Sequence, residues 1–316
     1  MYFSRVRVNP DIRELSHLHH VLCGNGYSAH QLLWDLFPGE KERTYLFREE
    51  IAGEQIPHYK GARGEPIYYV VSQILPTKGN PLFAVESKPY EPQLAVGDHL
   101  SFKLRANPVQ LDKKVRTIDE IEMWCKRRKD RGDKEKQPTK KRIRHDVVMD
   151  AQRHLLYELA EGAGLDNEGE KSDLKRRILD TLLVSKNPEM TAKLKQIIEG
   201  NERYQEFLEQ RLTAGKLLDM ALKAAADSAL ETWLTEKGKT NGFIIVRDDK
   251  RKLLKFQAEG YRWHALPKKG RSAGFSSVDF DGEVEVTDQN LFVNALFAGI
   301  GPAKGFGCGL MLVRRV

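Results

Sequence analysis

Tyr27 and His30 stand three residues apart in "YSAHQLLWDLFPG", directly after the turn "CGNG". In a helix that spacing puts both rings on one face, at the helix start. An imidazole titrates near neutrality, so His30 can take a proton from one oxygen and return it to another, while a neighbouring phenol orients it or shares the proton. The same spacing also describes a simple packing pair. RNA is a substrate that asks little of such residues. Cutting it without a metal takes a base beside a ribose 2′-OH, an acid beside the leaving 5′ oxygen, and positive charge on the phosphate.

Positive charge is available. The 316 residues carry 52 Lys and Arg against 45 Asp and Glu, a formal charge of +7, with a pI near 9.1. This balance favours a polyanionic partner without choosing among RNA, DNA and a membrane surface. Residues 126 to 145, "KRRKDRGDKEKQPTKKRIRH", hold eleven Lys/Arg against three Asp/Glu. They form either a binding surface or a solvated charged linker. The run "GIGPAKGFGCGLMLV" near the C-terminus has five glycines and Lys304, but neither the order of a phosphate loop nor that of a dinucleotide fingerprint. Apolar residues at helical spacing precede it and a short apolar run follows, so it reads as a helix-to-strand loop. Such a loop either brings backbone N–H groups and Lys304 to a phosphate chain or is a tight structural turn.

Metal and cofactor chemistry have little support. The cluster His17, His19 and His20 has no acidic or cysteine partner at ligand spacing, and Cys23, Cys125 and Cys308 form no C-x-x-C pair. A solvated helix face suits the histidine cluster better. Neither a metal nor a cofactor is expected. No stretch approaches a membrane span and the N-terminus shows no leader pattern, so the expected location is the cytoplasm, with no membrane partner.

The elements that must position these residues read as α+β. "YFSRVRV" alternates as a half-buried strand, "YSAHQLLWDLFPG" is helical, and "RTYLFREE", "PIYYVVSQIL" and "GDHLSFKLRANPV" supply three more strands. One helix on a four-stranded antiparallel sheet is the economical assembly for residues 1–115. A basic linker or strand over 116–145 follows. Residues 146–316 then form a second strand-rich half, with a near-neutral helical block inserted over about 154–224; Ser172 and Pro188 are expected at helix starts there. "NGFIIVRDDKRKLLKF" reads as a hairpin carrying Arg247, Lys250, Arg251, Lys252 and Lys255 at or near its tip.

Taken in order, "MYFSRVRVNP", "YSAHQLLWDLFPG", "LSFKLRANPV", "KKRIRHDVV" and "GIGPAKGFGCGL" resemble the CasE family, the type I-E CRISPR endoribonucleases of the RAMP superfamily. The resemblance covers roughly residues 1 to 150 and 225 to 314. It implies tandem ferredoxin-like (RRM-like) domains with the helical block inserted in the second half. It also implies metal-independent cleavage of CRISPR precursor RNA at the base of the repeat stem-loop, leaving a 2′,3′-cyclic phosphate and a 5′-OH. The partners implied are the repeat RNA hairpin, kept as product, and the other subunits of a Cascade-type complex. By position, His30 is the proton-transfer residue and Tyr27 its helper. Gly301, Lys304, Gly305 and Gly307 hold the RNA backbone. The basic hairpin Arg247 to Lys255 lies along the stem, joined by Lys140, Lys141, Arg142 and Arg144. Lys103 and Arg105 either line the same cleft or pair with carboxylates. A non-catalytic RNA-binding RAMP subunit is the alternative. The helical block, absent from members near two hundred residues long, fits a protein-contact module or a spacer.

Overall fold

The computed structural model describes residues 1–9, 26–51, 66–132, 140–184, 187–210, 212–248, 253–266 and 273–316, without the side chains of 26–28, 51, 141 and 142. Strand β1 (Tyr2–Val8) is followed by helix α1 (Gly26–Trp34) and strands β2 (Tyr45–Ile51), β3 (Pro66–Ser72) and β4 (Phe83–Pro89). These strands form an antiparallel sheet in the order β2-β3-β1-β4. That order is the ferredoxin-like arrangement, with a loop in place of the helix between β3 and β4. Ala29, Leu33, Leu36 and Phe37 pack from the α1 side onto Tyr45, Phe47, Tyr68, Val70 and Phe83. The other face of the sheet places Leu46 and Val71 against Leu310.

Strand β5 (His99–Ala106) is not the fourth strand of that sheet, as the sequence suggests. It pairs with β10 (Gly274–Val286) on one side and β11 (Met311–Arg315) on the other, and the fourth strand is β4. Alternation fixes which face a residue takes, and says nothing of which strand lies alongside. The first half therefore ends before β5, and the expected boundary at 115 falls at the end of a strand belonging to another unit.

The second sheet has the order β11-β5-β10-β8, where β8 is Phe243–Ile245, and β9 (Phe256–Ala265) also pairs with β10. With helices α6 (Ala214–Asn241) and α7 (Gln289–Ala298), the chain order β5-α6-β8-β10-α7-β11 is a second ferredoxin-like half. Trp233 of α6 stacks on Phe280 of β10, ring centroids 5.7 Å apart, and Phe292 of α7 meets Phe243 at 5.6 Å. Asp288 caps α7, its carboxylate accepting from the Leu291 N–H at 2.9 Å.

Two compact units result: Met1–Pro108 with Glu231–Val316, and Val109–Leu230. The first contains both sheets. The second opens with strands β6 (Val109–Val115) and β7 (Lys140–Asp146), which pair with each other, and helix α2 (Ile118–Asp130) between them. Helices α3 (Val147–Gly162), α4 (Lys171–Val184) and α5 (Pro188–Glu199), a 3₁₀ turn (Gln205–Glu209) and α6 up to Leu230 complete it. Leu156, Leu159, Ile178, Leu194, Ile198 and Leu218 form its apolar core. The insertion is thus longer than 154–224 at both ends. Within 116–145 stands α2, opened by a capping box in which Thr117 and Glu120 satisfy each other's N–H groups. Pro188 starts a helix as expected, capped by Asn187, whereas Ser172 lies inside the first turn of α4. No helix among the described residues is long and apolar enough to cross a membrane.

Candidate active site

Strand β2 turns Tyr45 and Phe47 toward α1, and His30 sits against both. Its partly exposed ring lies parallel to Phe47, with centroids 6.4 Å apart and planes 6° apart, and meets Trp34 edge-on at 5.5 Å. The Tyr45 hydroxyl is 2.9 Å from the His30 backbone oxygen and 3.0 Å from its Nδ1. A carbonyl can only accept, so the hydroxyl proton goes there and Nδ1–H donates to the hydroxyl oxygen. That network assigns the proton of the neutral ring to Nδ1 and the lone pair to Nε2. No described residue hydrogen-bonds to Nε2. Burial holds His30 below its ordinary value of 6.5, and the Arg43 charge acts in the same direction. The ring is therefore neutral at pH 7, with a base at Nε2. Burial also pushes the Tyr45 phenol far above its usual range, so the hydroxyl keeps its proton.

The glycine loop follows α7. Ile300 N–H donates to Gly309 O at 2.9 Å and closes the loop on itself, while its 3₁₀ turn (Lys304–Phe306) packs on α1 and β2. Gly307 adopts φ +81°, and a Cβ there would stand 3.2 Å from the Phe47 ring on which His30 lies. Only glycine takes that conformation without strain while approaching so closely. A Cβ on Gly305 would lie 3.1 Å from a terminal nitrogen of Arg43, which places the guanidinium beside the turn. Lys304 donates from Nζ to the Ala298 carbonyl at 2.6 Å, and its pKa is lowered by burial and then by Arg43. One guanidinium thus depresses both neighbours, so an entering anion relieves two unfavourable interactions at once.

The structure brings together His30, Lys304, Gly305 and Gly307. Gly301 belongs to the same loop, where a Cβ would lie 3.6 Å from Trp233. Tyr27 is on α1, its side chain outside the described residues. Arg105 is committed elsewhere: Nε and Nη2 each lie 3.0 Å from an Asp279 carboxylate oxygen, and Nη1 donates to the Glu49 carbonyl at 3.0 Å. Arg48 adds to this clamp, pairing with Glu50 at 2.7 Å and Asp279 at 3.2 Å. Lys103 faces the same side of β5, exposed, in an open groove of about 470 Å³ with Asp281, Glu283 and Arg314. Lys255 pairs with Glu283 at 2.9 Å, and Arg247 bridges to Leu254 at the base of the hairpin, whose Lys250, Arg251 and Lys252 lie outside the described residues. Lys140, Lys141, Arg142 and Arg144 are on β7 of the second unit, Lys140 and Arg144 exposed. His17, His19 and His20 are outside the described residues, among which no group of three or more His, Cys, Asp or Glu could hold a metal ion. Burial pushes the Cys308 thiol up to about 12, so it is unreactive.

Arg43 and Tyr45 are absent from the sequence reading. The alternation of "TYLF" was the available signal for Tyr45, since it puts Tyr45 on one face with Phe47; nothing local marks Arg43.

A family model described as CRISPR associated protein matches residues 1–217 and 184–315 of the chain. No curated protein matches it. Among solved structures it is similar to Thermus thermophilus Cse3 bound to an RNA representing a pre-cleavage complex, at 17% identity over 99% of this chain and 98% of that one, TM-score 0.49. It is also similar to the CRISPR-associated protein Cas6e from Escherichia coli str. K-12, at 18% identity over 100% of both chains, TM-score 0.46.

Proposed function

The chain belongs to the CRISPR associated protein family, and on that premise we propose that it is an endoribonuclease that cuts CRISPR precursor RNA at the base of the repeat stem-loop without a metal ion. His30 Nε2 removes the proton of the ribose 2′-OH, O2′ attacks the adjacent phosphorus, and the bond from phosphorus to O5′ breaks. The products are a 2′,3′-cyclic phosphate and a 5′-OH. Arg43 and Lys304 take the non-bridging oxygens as their charge grows. The leaving O5′ needs a proton, and two groups can supply it. Tyr27 shares the helix of His30, and the lowered pKa of Lys304 makes its ammonium a stronger acid than an ordinary lysine.

The observation that carries this reading is the imidazole itself, with Nδ1 held by the Tyr45 hydroxyl, Nε2 without a hydrogen bond among the described residues, and the Arg43 charge nearby. Backbone contacts come from Lys103, Lys140, Lys141, Arg142, Arg144, Arg247, Lys250, Arg251, Lys252 and Lys255. An A-form stem hides its bases, so such cations grip shape and phosphate. Arg105, held by Asp279, shares the face of β5 that carries Lys103. The product hairpin stays bound, and the protein acts in the cytoplasm with the other subunits of a Cascade-type complex.

Replacing His30 with alanine tests the reading on a repeat hairpin in excess EDTA. Binding is expected to persist while cleavage falls by about 10²–10⁴-fold. Cleavage by the parent that vanishes in EDTA assigns a metal nuclease instead. A parent that binds the hairpin and never cuts it is a non-catalytic RAMP subunit.

A further inference from the structure

The second compact unit separates its charge. Residues 109 to 146 hold fourteen Lys/Arg against eight Asp/Glu, whereas residues 147 to 230 hold twelve against fifteen. The positive field of the unit therefore belongs to the arm made of β6, α2 and β7.

This arm is built as a protein interior never is. Among the described residues strand β6 pairs only with β7, and six of its seven residues are exposed. Helix α2 buries no residue at all. A two-stranded ribbon with so little covered surface is marginal in water. Its register makes matters worse, because Lys113 stands opposite Arg142 and Lys114 opposite Lys141. Like charges directly across an antiparallel pair destabilise it. Lys113, Lys114, Lys126, Arg127 and Lys129 are all exposed, and none is paired with a carboxylate among the described residues. On the same arm the guanidinium groups of Arg116, at 5.5 Å, and Arg128, at 4.9 Å, both lie over the Trp124 ring. Stacking of this kind holds arginine planes in fixed positions. The exposed charges of Lys113, Lys114, Lys126, Arg127 and Lys129 are thus available to an anion arriving from outside.

We propose that the β6–α2–β7 arm is a second, sequence-independent grip on the RNA backbone, separate from the histidine site. The proposal rests on the RNA-binding reading given above and adds Lys113, Lys114, Lys126 and Arg127 to it. Two sources supply the same phosphate chemistry, the duplex stem and the single strands flanking it.

Lys113→Gln, Lys114→Gln, Lys126→Gln and Arg127→Gln, combined in the full chain, test it. Exposed substitutions that relieve repulsion keep the fold, which a thermal midpoint equal to or above that of the parent verifies. Affinity is then measured against salt for the bare repeat hairpin and for the same hairpin with single-stranded extensions. Each phosphate that is no longer neutralised flattens the slope of log K against log[salt] by about 0.9 for a duplex or about 0.7 for a single strand, so the four changes together remove roughly three from the slope. Affinity at physiological salt drops about tenfold or more. A change on both RNAs places the arm on the stem; a change confined to the extended RNA places it on the flank. The single-turnover cleavage rate at saturating protein stays that of the parent. Unchanged slopes on both RNAs, with a salt-dependent parent, overturn the proposal and assign the arm to an acidic protein surface. A parent whose affinity does not respond to salt at all overturns the RNA reading itself, which the His30 variant tests independently.

Discussion

Helix α1 and the end of helix α6 fill the same slot, each following the first strand of its ferredoxin-like half, and they are used in opposite ways. In the second half the slot is given to packing: Trp233 lies flat on Phe280, and Leu234 beside it is fully buried. In the first half Ala29 and Leu33 do the packing, and His30, next to Ala29 in sequence, emerges at the flank of their apolar stripe. There the ring rests on aromatic side chains, and its Nε2 edge meets no hydrogen-bond partner among the described residues. The glycine loop supplies what the helix lacks, because its turn packs on α1 and β2 and sets Gly305 beside Arg43. The two halves share one strand order, although the first has a loop where the second has α7, so the strand order alone does not decide where chemistry is placed. A polar residue at the border of a packed stripe, met by a second element, decides it.

The comparison breaks if the packing slot and the chemical slot respond alike to substitution. Leu234→Ala removes a fully buried side chain and leaves a cavity, with an expected loss of about 2–5 kcal/mol in stability. The fall appears as a lower denaturant midpoint, while cleavage per folded molecule, assayed well below the thermal transition, stays that of the parent. His30→Ala is expected to do the reverse. A Leu234 variant that folds stably yet cuts slowly joins the two slots into one functional unit.

Much of this contrast was legible in the residues alone. The period of "YSAHQLLW" gives both the helix and its apolar stripe, and the glycine spacing gives a loop between helix and strand. Other features were hidden because they depend on partners distant in sequence. Tyr45 meets His30 across fifteen residues through a side-chain bond that no pattern encodes. Strand β5 alternates cleanly, yet its pairing with β10 across more than a hundred and seventy positions is invisible to a period of two. Arg105 looks like a nucleic-acid contact until Asp279 is found against it. Helix α2 was obscured for a different reason: the dense charge of "KRRKD" suggests a solvated linker, although Thr117 and Glu120 spell a capping box just ahead of it.

Tyr45→Phe sharpens the role assigned to the border residue. The aromatic face is kept and only the hydroxyl is removed, so stacking on Phe37, at 4.7 Å, persists. The ring of His30 then lacks the bond that selects its tautomer. Such a hydrogen bond is worth about 1–1.5 kcal/mol, which corresponds to roughly a tenfold slower cleavage step with hairpin affinity unchanged. Equal rates for the two proteins mean that the hydroxyl serves only to tether the backbone.

Arg43→Gln has the smallest expected effect and the most specific one. In the proposed mechanism the neutral imidazole is the base, so on the acid side the single-turnover rate is expected to climb with pH and level off above the pKa of His30. That pKa lies below 6.5, through burial first and Arg43 second. Removing the guanidinium charge takes away the second cause and leaves the first. The acid limb should therefore move to higher pH while remaining below 6.5. Stability follows the same sign. A histidine whose pKa is lower when folded binds protons more readily when unfolded, so the protein loses stability as pH falls below 6.5, and the glutamine variant loses less. Weaker hairpin binding alone, with an unmoved acid limb, would separate Arg43 from His30 and leave it a phosphate contact only.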